Sequence, residues 1–321
     1  MKYYLAPMEG ITGYVYRNSY AKFFPSFDKY FTPFIIPNES KSLKTKELID
    51  VQPENNKGLN IVPQILTNDA KGFIITANKL KQLGYNEINL NLGCPSGTVV
   101  GKNRGSGFLA KRDELDKFLN EIFKINNMKI SIKTRIGKER PDEFYELIKI
   151  YNKYPMEELI IHPRTREDFY GNKPNFEVFK DALSLSVNKV CYNGDIFTVE
   201  DHNKLIETFP KVDTIMIGRG LLANPGLINE IKNNINIDEQ SLRNFHDYIL
   251  NEYIELYPQE TGVLFKMKEL WSYMIYIFSN GEKYIKKIRC SQNLGEYNNV
   301  ISNLFMEEEI IKGAGLFSKR S

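Results

Sequence analysis

Cysteine is scarce in this chain, with three residues, Cys94, Cys191 and Cys290, among 321. Their spacing matches no zinc pattern and gives no disulfide framework, so free, reduced thiols are expected. Charge of one sign is equally short. Lys and Arg number 43 against 40 Asp and Glu, a formal net charge of +3, which neither demands nor excludes a nucleic-acid partner. Long apolar runs are missing too, since none approaches the roughly 20 residues that span a bilayer. The opening MKYYLAPMEG has neither the basic nor the apolar region of a signal peptide, which makes a cytoplasmic protein the expectation. Internal repeats and low-complexity tracts are absent as well.

What the chain does have is alternation. Short apolar, β-branched runs recur between stretches of helical period, the signature of a parallel α/β fold. Eight strands are expected, at 3–6, 30–36, 60–65, 87–91, 129–134, 158–162, 189–192 and 214–217. Helices are expected at 13–24, 44–51, 69–83, 113–125, 141–154, 175–183, 198–209 and 227–234. Asp69, Asp113 and Thr198 read as N-caps and Pro141 as a first-turn proline. A doubly wound open sheet shares this alternation, but its functional groups gather at one switch point. Here polar or glycine-rich clusters follow seven strands, which favours a (β/α)8 TIM barrel. After residue 235 only helical periods remain, with stripes at Leu242, Phe245, Ile249, Tyr253 and Leu256, at 264–278, and at 297–305. The expected architecture is therefore a barrel over 1–235 followed by a small all-helical bundle over 236–321.

The strand ends carry the chemistry. Asn193, Gly194 and Asp195 end the seventh strand, and Gly218, Arg219 and Gly220 the eighth. Glycines there let backbone N–H groups approach a phosphate, and Arg219 supplies charge. Tight turns with positive φ would use the same residues, but two of them at the phosphate locus of this fold favour a phosphorylated cofactor. Lys133 closes the fifth strand in SIKTRIG and His162 the sixth in IIHPRT. A lysine ending an apolar strand points into a barrel mouth, where the anionic ring of a reduced flavin needs a cation. An internal ion pair for Lys133 and a satisfied core imidazole for His162 are the plainer alternatives.

Cys191 lies within a strand and reads as a small hydrophobe. Cys94, in NLNLGCPS, sits between a glycine and a proline just past a strand end, where the chain turns and the side chain can face a cleft. A thiol with an ordinary pKa of about 8.5 stays protonated near neutrality and can donate that proton. A nucleophilic role is the alternative, without an evident Cys-His-Asn arrangement. The segment CPSGTVVGKNRGSGFLAK then carries Lys102, Arg104 and Lys111 among glycines. It reads as a flexible basic loop over the mouth, suited to a polyanionic substrate, or as a plain solvated loop. It lacks the Gly-Lys-Ser/Thr ending of a Walker A motif.

Together these segments resemble the tRNA-dihydrouridine synthases, a family of FMN-dependent enzymes that reduce a uridine of tRNA. The resemblance covers the whole chain: LAPMEGITG, PQILTND, NLGCPSGTVVGKNRGSG, Lys133, HPRTREDFYG, NGDI, IGRG and a helical tail containing FKMKELW. It implies Pro7, Met8 and Gln64 against the isoalloxazine ring, with Lys133 and His162 on its polar edge. Backbone around Asn193, Gly194, Asp195, Gly218 and Arg219 would hold the FMN phosphate. Cys94 becomes the acid, with Asn91, Arg135 and Arg164 near the substrate base and Lys102 and Arg104 on the substrate from the basic segment. NADPH is the implied reductant, and an extruded uridine would receive hydride at C6 and a proton at C5. The tail resembles a tRNA-binding module, with Lys266, Lys268, Lys283, Lys286, Lys287 and Arg289 as candidate phosphate contacts. Residues 236–321 nevertheless carry 10 Lys and Arg against 12 Asp and Glu. His202, His246 and Cys290 read as structural or surface residues. The expected partner is tRNA, with no membrane and no metal, and the expected state is a monomer. Two rivals stand beside this reading: an FMN barrel oxidoreductase acting on a small molecule, like dihydroorotate dehydrogenases or ene-reductases, and a tRNA-binding factor without turnover.

Overall fold

The computed structural model describes residues 1–37, 45–125 and 128–313. Its strands are β1 (Lys2–Leu5), β2 (Lys29–Ile35), β3 (Ile61–Ile65), β4 (Glu87–Leu92), β5 (Lys129–Gly137), β6 (Glu158–Thr165), β7 (Val190–Tyr192) and β8 (Thr214–Ile217). They close into a barrel in chain order, each pairing in parallel with its successor. The Lys2 N–H donates to the Asp213 carbonyl at 2.7 Å where the ring closes. Helices lie between the strands in the chain, so the expected (β/α)8 architecture is present.

Alternate residues of a strand share a face. One such face puts Tyr4, Ala6, Phe31, Val62, Ile160, Cys191 and Met216 into a single buried cluster. Cys191 is thus the apolar filler its sequence position implied. The register shifts between Phe31 and Phe34, where Pro33 has no N–H to give the ladder. Thr32 fills the gap: its Oγ1 accepts the Gln64 backbone N–H at 3.1 Å and donates to the Pro33 carbonyl at 2.9 Å.

Start signals are realised unevenly. Asp69 caps the helix Ala70–Gln82 by accepting from the Lys71 and Gly72 N–H groups. Thr198 and Asp201 bond reciprocally ahead of Val199–Thr208. Asp113 is not a cap, because its helix already begins at Arg112 and the carboxylate lies in the first turn, where the helix dipole still favours it. The helix expected from Lys44 runs Thr45–Val51, and Lys44 itself lies outside the described residues. β5 and β6 run three residues past their expected ends, because Arg135 pairs with His162 and Gly137 with Thr165.

The chain forms two compact units: Met1–Pro7, Asp28–Gly194 and Phe209–Met216 make the first, while Met8–Phe27, Asp195–Thr208 and Ile217–Ser321 make the second. This division differs from the change of period at residue 236. Its physical basis is aromatic: Tyr16, Tyr20 and Phe24, on and just after the helix Tyr14–Phe23, pack around Phe245 of Glu239–Leu256, with centroids 5.0 to 6.5 Å apart. Burying rings of that size outweighs proximity in sequence. Further on come Glu260–Met274, Glu282–Cys290 and Leu294–Glu307. His246 is fully buried among them. Trp271 Nε1 donates to the Tyr297 hydroxyl at 2.7 Å, and that hydroxyl donates in turn to His246 Nε2 at 2.7 Å. His246 Nδ1 is left to donate to Asp247 at 2.7 Å, so of the two expectations for His246, structural or surface, the structural one holds. Leu256 departs from its stripe, 38% exposed at the helix end. Among the described residues no helix is long and apolar enough to cross a membrane.

Candidate active site at the carboxyl end of the barrel

In the first unit, a row of amides runs across β3, β4 and β5, and its direction follows from one end. Asn91 Oδ1 accepts the backbone N–H groups of Gly93 at 3.0 Å and Cys94 at 2.9 Å. Backbone nitrogens only donate, so the other half of the Asn91 amide must donate as well. Asn91 Nδ2 gives to Gln64 Oε1 at 2.7 Å, and Gln64 Nε2 gives to Asn89 Oδ1 at 2.8 Å. Asn89 Nδ2 then gives to Ser131 Oγ at 3.0 Å, which closes on the Ile88 carbonyl at 3.4 Å. Gln64, Asn89 and Ser131 are fully buried and Asn91 is nearly so. The row therefore holds one polarity and ties the Cys94 backbone to the barrel interior.

Cys94 is half-buried and held from its other side too. Its carbonyl accepts the Ser106 N–H at 3.1 Å and Ser106 Oγ at 2.8 Å. Gly105 has φ +54, and a Cβ there would stand 2.8 Å from the Cys94 oxygen, so only glycine fits. The supposed flexible loop is thus folded. A helical turn, Gly97–Val100, and a 3₁₀ turn, Gly105–Ala110, carry it, and residues 105–109 are buried. Glycine here serves close packing rather than mobility. Lys102 remains exposed, while Arg104 is half-buried with Nε donating to Asn68 Oδ1 at 3.3 Å.

Lys133 lies one strand over, paired in register with Asn91. It is half-buried, with no hydrogen bond or ion pair to its ammonium among the described residues. Burial first, and then the Arg135 guanidinium, pull it down to about 8, against an opposing pull from Cys191 and Cys94. His162 is buried, and its Nε2 lies 3.2 Å from Arg164 Nη1. A guanidinium cannot accept, so Nε2 does and the ring is neutral with its proton on Nδ1.

Arg135 and Arg164, expected to face a substrate, are both fully buried. Arg135 donates from Nε to the Gly93 carbonyl at 3.0 Å, from Nη1 to Thr165 at 2.6 Å and from Nη2 to Phe169 at 2.8 Å. Arg164 Nε donates to the Asn172 carbonyl at 2.5 Å. Both fix the connections after β4 and β6. Asn193 is buried, with Nδ2 donating to the Met216 carbonyl at 2.8 Å. A Cβ on Gly194 would fall 2.0 Å from the Tyr192 hydroxyl. Pro7 is half-buried after β1.

The second unit holds the remaining expected residues. The Met8 carbonyl accepts from the Ile11 and Thr12 N–H groups at 3.0 Å each. Arg219, expected to meet a phosphate, forms an ion pair with Asp195 at 2.6 Å and lies over the Phe197 ring. Gly218 precedes the short helix Arg219–Ala223. In the tail, Lys266 donates to the Gly10 carbonyl, Lys268 to the Ser291 carbonyl at 2.6 Å, and Lys283 pairs with Glu308. Lys286, Lys287 and Arg289 are exposed on Glu282–Cys290. Among the described residues no group of three or more His, Cys, Asp or Glu side chains is placed to hold a metal ion.

Asn89, Ser131, Thr32 and Ser106 are positioning residues that the sequence reading missed. For Asn89 and Ser131 a signal existed: each stands two residues before an expected site residue, on the same face of its strand.

A family model described as Dihydrouridine synthase (Dus) matches residues 4–313. Among curated relatives, tRNA-dihydrouridine synthase B of Pasteurella multocida (strain Pm70) is 28% identical over 282 residues, covering 84% of this chain and 83% of its own. The tRNA-dihydrouridine(16) synthase of Vibrio parahaemolyticus serotype O3:K6 (strain RIMD 2210633) is 26% identical over 247 residues, covering 73% of this chain and 74% of its own. Among solved structures, morphinone reductase aligns with a TM-score of 0.51 at 10% identity, over 75% of this chain and 88% of its own, a likeness of fold alone. The match spans the barrel, the Cys94 segment and the helical tail, and the chain therefore belongs to the dihydrouridine synthase family.

Proposed function

We propose that this chain is an FMN-dependent tRNA-dihydrouridine synthase, a cytoplasmic enzyme that reduces a uridine of tRNA with electrons from NADPH. Residues 1–235 are assigned the catalysis and 236–321 the binding of tRNA. The observation that carries the reading is the proximity of Lys133, whose ammonium has no hydrogen bond or ion pair among the described residues, to a cysteine whose backbone is fixed from both sides. A lone half-buried cation fits the electron-rich edge of a flavin. Pro7, Gln64, Lys133, His162, Asn193 and Gly194 would hold that cofactor from the first unit. For Met8, Asp195, Gly218 and Arg219 the assignment rests on the family resemblance. When bound, reduced FMN supplies the hydride for C6 of the uridine.

The protein's own part is positional. Asn91 orients the turn that carries Cys94, so the thiol meets C5 and donates its proton there. Arg135 and Arg164 keep the surrounding connections from shifting, and Lys102 and Arg104 offer charge to the RNA backbone. The base must leave its stack to reach these groups.

Cys94→Ala tests the acid role. Dihydrouridine formation, read by mass spectrometry of digested tRNA, is expected to fall about 10²- to 10⁴-fold, with flavin absorbance and tRNA affinity retained. An unchanged product level overturns it. A small-molecule oxidoreductase would instead show NADPH oxidation accelerated by free pyrimidines or enones and not by unmodified tRNA. A binding factor without turnover would yield no dihydrouridine at all.

A further inference from the structure

The connection after β6 holds an aromatic residue in the left-handed backbone region. Phe169 has φ +46, in the left-handed region that bulky side chains avoid, yet the residue is 42% exposed. Packing does not compensate an exposed ring for a strained backbone, so the surrounding bonds must hold it. Arg135 Nη2 donates to the Phe169 carbonyl at 2.8 Å, and the Phe169 N–H donates to the Arg166 carbonyl at 3.1 Å. The Asp168 carboxylate accepts from the Thr165 N–H, Thr165 Oγ1 and Asn172 Nδ2, at 2.5 to 2.8 Å. Against the ring lies Arg166, its guanidinium carbon 4.8 Å from the centroid, while its Nη1 pairs with Glu167 at 2.8 Å. The adjoining Tyr170 ring stands 6.0 Å from that of His162, so Phe169 belongs to the rim of the barrel mouth.

We infer that Phe169, backed by Arg166, is a stacking step for a nucleobase flanking the uridine that is reduced, a role that rests on the synthase reading above. The chemistry selects a flat ligand. The ring offers a π-face to any base, and the Arg166 guanidinium backs that ring. A protein partner would ask for a contiguous apolar patch, whereas Arg166, Glu167 and Asp168 bring charge directly beside Phe169.

The test uses the full flavin-loaded chain and unmodified tRNA, with affinity read by filter binding and dihydrouridine formation at saturating tRNA. Phe169→Ala and Phe169→Gly are expected to weaken tRNA binding on the order of tenfold, while Phe169→Tyr and Phe169→Trp stay within about threefold. Product formation at saturation should persist in all four. The glycine variant should melt at or above the alanine variant, because it alone adopts this φ freely. Wild-type affinity in the glycine variant would show the ring idle and overturn the inference. So would equal losses in the tyrosine, tryptophan and alanine variants, which would make the loop's conformation the cause. The wild-type arm is separate: if it forms no dihydrouridine in tRNA, the synthase reading fails and takes this inference with it.

Discussion

The two ends of the barrel treat buried charge in opposite ways. At the amino end, Lys29 begins β2, Glu87 begins β4 and Glu158 begins β6. Lys29 Nζ lies 2.8 Å from Glu87 and 3.7 Å from Glu158, and the Tyr4 hydroxyl donates to Glu158 at 3.0 Å. Burial alone would lower the Lys29 ammonium, but Glu87 and then Glu158 lift it above its ordinary value. At the carboxyl end Lys133 has no such partner among the described residues, and burial with the nearby Arg135 guanidinium leaves it at about 8. One lysine is an element of the fold. On the proposed reading the other is a charge kept for the flavin, at the face where such barrels do their chemistry.

The comparison breaks first at Lys29. Lys29→Met would strand the Glu87 and Glu158 carboxylates, both largely buried, and removing one partner of a buried ion pair costs about 3 to 5 kcal/mol. Denaturant unfolding at pH 7 should show that loss. A change under about 1 kcal/mol would mean that solvent already screens the cluster.

Lys133→Met should move stability the other way. The wild type bears the cost of a half-buried, unpaired cation, so the substitution is expected to stabilise the flavin-free protein by about 1 to 3 kcal/mol at pH 7 while abolishing catalysis. The pH dependence gives the sign. Native Lys133 releases its proton near 8, whereas an unfolded lysine does so near 10.4. Between those values the unfolded chain binds more protons, so wild-type stability rises with pH. The advantage of the variant should be full below pH 8 and shrink above it. A variant less stable than wild type at pH 7 would show that the ammonium is paired after all.

These differences mark what the sequence could disclose. Strand positions follow from alternating apolar residues, and the carboxyl rim from polar residues near strand ends, so the barrel and its rim are legible in the sequence. β5 and β6 were cut short because Arg135 and Arg164 interrupt an apolar pattern that the ladder itself tolerates. The Cys94 segment resembled a mobile loop because its glycines look like hinges, and only the contact of Gly105 with the Cys94 carbonyl reveals them as packing sites. Likewise nothing in sequence spacing pairs Tyr16 and Tyr20 with Phe245. Ion pairing was equally hidden. Lys29 and Lys133 are both strand lysines, and only their three-dimensional neighbours separate the paired one from the one without a partner among the described residues.

The smallest expected effect tests what lies between the two ends. Asn89 is fully buried and passes the polarity of the amide row from Gln64 to Ser131. Asn89→Leu fills the space but leaves Gln64 Nε2 without its acceptor, costing about 1 to 2 kcal/mol, and should slow dihydrouridine formation about tenfold, because Gln64 braces the Asn91 amide that sets the Cys94 turn. Asn89→Asp keeps an acceptor for Gln64 whether ionised or protonated. It should retain more activity than the leucine variant despite burying a carboxyl group. If Asn89 served packing alone the order would invert, since a buried apolar side chain would then be the better substitute. Comparing the two rates at equal flavin occupancy therefore decides whether the row transmits position to Cys94 or only fills the barrel beneath Lys133.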